Sequence, residues 1–208
     1  MAVSKKITKV PEFEELVFDE KPHTYLLNGI RIPSVTNVME PLNRARYDGI
    51  SRKTLDRAAE KGTAVHNSIE NYLKFGFVDI PPEHRGYLDG FLAWFEKMNP
   101  EVVGSEVKLY HKMMQYAGTI DLLCYIDGDL CLYDFKSTYS VSEMTCGVQL
   151  EAYAQALASH GIRVKRKRIL HLKKNSEWKE YDFPSNDAAR WRVFGACKTV
   201  YDYTSSCK

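Results

Sequence analysis

The sequence predicts an α/β (α+β) fold, a central mixed β-sheet flanked by helices, and three observations carry that prediction. Apolar residues recur at helical spacing through the first half of the chain, then shift to strand spacing from about Val102 to Lys136. An Ala-rich helical stretch, Glu143 to His160, follows, and RKRILHL and WKEYDF read as two more strands. The order ααβββαββα, after a small N-terminal hairpin, implies a mixed sheet with helices against it.

Each element has a local reason. In HTYLLNGIRIPS, Asn28-Gly29 is a favoured two-residue turn between short apolar strands. Ser34 suits the N-cap of a helix over VTNVMEPL. From Ser51 to Lys74, Leu55, Ala59, Gly62, His66, Ile69 and Leu73 recur every three or four residues, which points His66 inward with an apolar stripe. Pro81-Pro82 ends that pattern, and EHRGYLDGFLAWFEKM forms a helix with an aromatic face. Ser185 or Asn186 is the expected cap of a final helix, DAARWRVFGACKTVYDY.

The 208 residues are 44% hydrophobic and 27% charged, values of a globular protein able to bury a full core as one domain. Net charge is only +2, so any nucleic-acid affinity must come from local clusters of Lys and Arg. Five cysteines, with no CxxC pair, argue against a disulfide framework and a zinc site and fit a reducing cytoplasm. The N-terminal MAVSKKITKV has no apolar h-region, and no run is long enough to span a membrane.

The chemistry concentrates in QYAGTIDLLCYIDGDLCLYDFKS, Gln115 to Ser137. Asp127-Gly128 is a strong hairpin signal, and a two-residue loop there sets Ile126 opposite Asp129. Counting outward brings Asp121 opposite Asp134, on one face, with Cβ atoms about 4.5–5.5 Å apart. Lys136 shares the side of Asp134. Two facing carboxylates repel unless a proton or cation lies between them, and a hard divalent cation is the natural occupant. With Lys136 to orient water or steady a phosphate, the set describes metal-assisted phosphodiester hydrolysis. The competing reading is a surface Asp134–Lys136 ion pair with Asp121 merely exposed. Gln149 and Tyr153, one helical turn apart, either line this site or lie on a helix surface. His66 by itself reads as a hydrogen-bonded core residue, with Glu70 orienting it or lying at the same helix edge.

KGTAVHNSIE, GTIDLL, DFK and QLEAY, in that order, resemble the RecB-like branch of the PD-(D/E)XK nuclease superfamily, which includes phage-encoded exonucleases and the mitochondrial genome maintenance exonuclease. The resemblance runs from Thr24 to Leu172. It implies a restriction-endonuclease-like core, a single nuclease domain over residues 1–208, and a metal-dependent deoxyribonuclease, expected to be an exonuclease of phage or bacterial recombination, repair or replication in the (host) cytoplasm. Residue by residue, it implies that Asp121, Asp134, His66 and the backbone carbonyl of Phe135 hold Mg²⁺ or Mn²⁺, and that Lys136 positions the nucleophilic water. Gln149 and Tyr153 match its QxxxY motif, and Glu106 stands where relatives often have an acid. Some members carry a four-cysteine iron–sulfur cluster; Cys197 and Cys207 have no N-terminal cysteine partner here, so none is expected. The resemblance leaves open an oligomeric ring and a non-catalytic nucleic-acid-binding relative.

Two basic groups are candidates for DNA contact. One is Arg44, Arg46, Arg52, Lys53 and Arg57, with Tyr47 able to stack on unpaired bases. The other is Arg163, Lys165 and Arg166 in RVKRKR, which can equally serve to solubilise a sheet edge.

Overall fold

The period change near residue 100 marks a real boundary between helices and sheet. The computed structural model describes residues 6–20, 22–47 and 49–207, apart from the side chains of residues 45–47. In chain order its elements are strands β1 (Leu16–Asp19), β2 (Thr24–Leu27) and β3 (Ile30–Ile32), then helices α1 (Val35–Val38), α2 (Glu40–Tyr47), α3 (Arg52–Phe75) and α4 (Arg85–Met98). Strands β4 (Glu101–Tyr110), β5 (Ala117–Ile126) and β6 (Asp129–Lys136) follow, then α5 (Glu143–Ser159), β7 (Arg166–Leu172), β8 (Trp178–Phe183) and α6 (Ala188–Ser206).

The second half builds a five-stranded mixed sheet in the order β4-β5-β6-β7-β8. All neighbours are antiparallel except β6 and β7, which run parallel. A parallel pair needs a crossover, and α5 supplies it. Both faces of the sheet are covered. Leu130 and Leu132 of β6 pack with α5 and α6, whereas Cys131, Tyr133 and Phe135 turn to α3 and α4. Such alternation is the period-two signature of a strand buried on both sides.

The N-terminal hairpin is joined by a third strand that the sequence pattern did not announce. β1 pairs with β2, setting Phe18 opposite Tyr25. Asn28 and Gly29, at φ 51° and 79°, adopt the left-handed pair of angles that a type I′ turn requires, as do Asp127 and Gly128 at 53° and 80°. Ser34 caps α1 in a reciprocal capping box with Asn37, and Ser51 caps α3. The cap of α6 is Asp187 rather than Ser185 or Asn186, because the Asp187 carboxylate accepts the Arg190 N–H at 3.0 Å.

The buried line of α3 also differs from the expected stripe. Val65, Ser68 and Ile69 are its buried residues, while Ala59 is exposed and Leu55 half-buried. Apart from half-buried Leu55, residues 52–60 are exposed, so the early apolar positions of the helix are not packed. His66 consequently sits at the rim of the core, half-buried, and not within it.

Candidate metal centre

The β5–β6 ladder keeps the expected register, Ile126 opposite Asp129 through Leu122 opposite Tyr133, and then it opens. Continued pairing would give the Phe135 N–H to Ile120. The Asp121 carboxylate takes it instead, Oδ2 accepting from Phe135 N. In a strand the N–H and C=O of one residue point the same way, so the same opening exposes the Phe135 carbonyl. His66 Nε2 lies 3.2 Å from that oxygen, and His66 Nδ1 lies 3.3 Å from Asp121 Oδ1.

Across β5, Glu106 falls between the pairs Ser105–Leu122 and Val107–Ile120 and therefore beside Asp121. Its backbone has φ 49°, a left-handed conformation that costs a residue with a long side chain about 1–3 kcal/mol. The strained position lies among the site's acids. Glu106 Oε1 is 4.0 Å from His66 Nδ1, and His66, Glu106 and Asp121 bring one ligand atom each within 4.8 Å of one another.

Asp134 is only 3% exposed and Asp121 7%, so their charges are held largely out of water. Lys136 Nζ lies 2.7 Å from Asp134 Oδ2, yet that oxygen receives no aligned hydrogen bond. The contact is an ion pair of poor directionality. Lys136 also donates to Gln149 Oε1 at 3.2 Å, and Gln149 Nε2 donates to the Tyr153 hydroxyl at 3.1 Å. Gly118 allows Tyr153 this place, since a Cβ there would lie 2.5 Å from its ring.

The electrostatics show an excess of negative charge. Burial and the neighbouring Asp121 push Glu106 up to about 7. Burial works against the charged form of His66, but Asp121, Asp134 and Glu106 outweigh it and raise the imidazole to about 9. Burial and Asp121 likewise raise Asp134 against the pull of Lys136. Burial opposes ionisation of Asp121, yet His66 and Lys136 hold it below the usual carboxylate range. Protons on His66 and Glu106 thus balance charge that a cation can balance instead. A buried carboxylate whose contact with Lys136 is poorly aligned, a carbonyl released from the β5–β6 ladder and facing His66, two further carboxylates and one imidazole fit an oxygen-preferring divalent ion.

The expected residues are not all brought together. His66, Asp121, Asp134, Lys136, Gln149, Tyr153 and Glu106 line one cleft of about 700 Å³, and the Phe135 carbonyl faces His66. Glu70 lines the cleft but pairs with Lys74, while both nitrogens of His66 face other groups. Arg52 and Lys53 are exposed on the first turn of α3, and Arg44 pairs with Glu40 at 2.6 Å. The side chains of Arg46 and Tyr47 lie outside the described residues. Arg163 and Lys165 are exposed and Arg166 binds Asp129, but β7 runs parallel to β6 and sets Arg166 opposite Cys131. That is five residues, about 16 Å, from Lys136, so this basic group lies toward the other end of the sheet.

The sequence reading missed the opposite wall of the cleft, where Phe18, His23 and Tyr25 of the N-terminal sheet stand. The matching alternation of Leu16 and Phe18 with Tyr25 and Leu27 across the turn was the available signal.

No family model matches the chain, and no curated protein matches it. Among solved structures it is similar to SSO0001, at 14% identity and a TM-score of 0.40 over 80% of this chain and 75% of that one. It is also similar to LHK-Exo, solved in complex with dAMP, at 11% identity and a TM-score of 0.45 over 85% of this chain and 88% of that one. Both likenesses are distant. Among the described residues no helix is long and apolar enough to cross a membrane.

Proposed function

We propose that this protein is a divalent-metal-dependent DNA nuclease that acts as an exonuclease. The observation that carries the reading is the convergence of His66, Glu106 and Asp121 within 4.8 Å, beside the buried Asp134 and its ion-pair partner Lys136. Asp121, Asp134, His66 and the Phe135 carbonyl would hold Mg²⁺ or Mn²⁺, with Glu106 completing the acidic floor. Bound there, the ion supplies polarisation of a phosphoryl oxygen and a water acidic enough to attack near neutral pH.

The protein's own groups do the positioning. Lys136, held between Asp134 and Gln149, orients the attacking water and steadies negative charge on the phosphate. Tyr153 braces Gln149 and so fixes the direction of the Lys136 amine. Exonucleolytic action and the recombination, repair or replication setting rest on the ordered sequence motifs.

The test is digestion of end-labelled linear single- and double-stranded DNA beside a closed circle, with Mg²⁺, Mn²⁺ or EDTA. Linear DNA should shorten from an end in either metal and stay intact in EDTA. Cleavage of the circle at an equal rate would refute exonucleolytic action, and binding without cleavage in both metals would refute the enzyme.

A further inference from the structure

The acidic floor of the cleft is polar, but one of its walls is aromatic. Phe18 on β1 and Tyr25 on β2 are ladder partners with ring centroids 4.7 Å apart, and His23 meets Phe18 edge-on at 4.9 Å. The wall is fixed to the floor: the Tyr25 and Thr119 hydroxyls lie 2.8 Å apart, and Thr119 is on β5 just before Asp121. Lys108, on the β4 strand that carries Glu106, places its amine 5.7 Å from the Phe18 ring centre. The cleft is continuous from these rings to Asp121, Asp134 and Lys136.

A cation needs no flat apolar surface, whereas a nucleotide is a charged phosphate joined to a flat heterocycle. We infer that Phe18 and His23 form a stacking seat for an unpaired nucleobase flanking the phosphate at the acidic floor, so that the DNA is single-stranded where it enters the cleft. The placement of the phosphate rests on the nuclease reading above. Inside a duplex each base has its faces covered by its neighbours, so an aromatic wall selects a base that has left the stack. His23 is exposed, half-buried Phe18 supports it from beneath, and Lys108 supplies a positive charge for the adjoining backbone.

The test separates base recognition from cleavage. Binding of a fluorescent single-stranded thymidine hexamer is measured in Ca²⁺, beside a set of hexamers each lacking the base at one position, with recovered DNA checked for integrity. Wild-type protein should lose affinity about tenfold when one particular base is missing. Phe18→Leu combined with His23→Asn removes both rings, keeps an apolar side chain under the turn, and places at position 23 a residue that tolerates positive φ. This variant should bind intact and base-less hexamers alike while keeping the wild-type Mn²⁺-induced rise in Tm. A flat profile in the wild type, or a position-dependent profile unchanged in the variant, would overturn the seat. Loss of base-dependent binding is independent of whether any DNA is cut, so an inactive protein with a stepped profile would sink the nuclease reading and leave the seat standing.

Discussion

One face of the central sheet carries two lysine–carboxylate pairs, one fully buried and one whose lysine is half-buried, that differ in what surrounds them. Lys167 of β7 and Glu151 of α5 are each 1% exposed and form a closed ion pair, and Glu151 also accepts from Gln155 at 2.7 Å. Asp134 and Lys136 of β6 are also in contact, but Asp121, Glu106 and His66 crowd against them and the 2.7 Å contact is poorly aligned. The first pair is balanced and sealed. The second is left with surplus acid and an open cleft. Burial of charge therefore does not by itself single out the candidate site; imbalance of charge beside an open cleft is what distinguishes it.

Breaking the sealed pair should have the largest effect on stability. Lys167→Ala strands a buried carboxylate and is expected to cost about 3–5 kcal/mol in denaturant unfolding, whereas Glu151→Leu with Lys167→Met should recover most of that loss. A double variant as unstable as the single one would mean that the pair's packing matters more than its charge. In the cleft the opposite pattern is expected. Lys136→Ala or Asp134→Ala should leave the fold intact by circular dichroism and lower cleavage by about 10²–10³-fold, and full activity in either would refute the mechanism.

Smaller effects sharpen the contrast. Glu106→Gln removes a carboxylate that its surroundings disfavour as an anion, so without metal at pH 8 the protein should gain about 1–3 kcal/mol. The same change should weaken the stabilisation by Mn²⁺ seen in thermal melts. Lower stability in EDTA would contradict the proposed surplus of charge.

The pH dependence has a definite sign. Both Glu106 and His66 are raised in the folded protein, so it binds more protons than the unfolded chain and metal-free stability falls as pH rises. The Glu106 contribution fades between 4.5 and about 7, and that of His66 between 6.5 and about 9. Ligation requires both groups deprotonated, so Mn²⁺ affinity should climb over the same interval. Calorimetric titrations at three pH values check this, and a pH-independent affinity would remove His66 and Glu106 from the ligand set.

The site's centre was legible in the sequence because short-range chemistry sets it. Asp127-Gly128 fixes a two-residue turn, and that turn fixes the register as far as Leu122 opposite Tyr133; the ladder opens before the expected Asp121–Asp134 pair, where the Asp121 carboxylate takes the Phe135 N–H instead. Gln149 and Tyr153 follow from one turn of helix. What escaped depends on contacts remote in sequence. The buried face of α3 is set by its tertiary contacts, which bury Val65, Ser68 and Ile69 and leave His66 half-buried at the rim of the core. β1 exists because β2 offers it an edge, and the only local sign of the aromatic wall is the alternation of Leu16 and Phe18 with Tyr25 and Leu27 across the turn. Asp187 displaced Ser185 and Asn186 as the α6 cap, since neighbouring residues of similar propensity are separated only by the path of the backbone.

The opening of the β5–β6 ladder at Phe135 has a consequence for how the chain matures. The donor set draws on α3, β4, β5 and β6, and the amide that holds the Asp121 carboxylate is itself part of β6. A chain emerging from the ribosome thus carries His66 and Glu106 before it carries the strand that fixes Asp121. Its acids reach their final places only once β6 has docked, and Lys136 acquires its Gln149 partner only when α5 has formed after that.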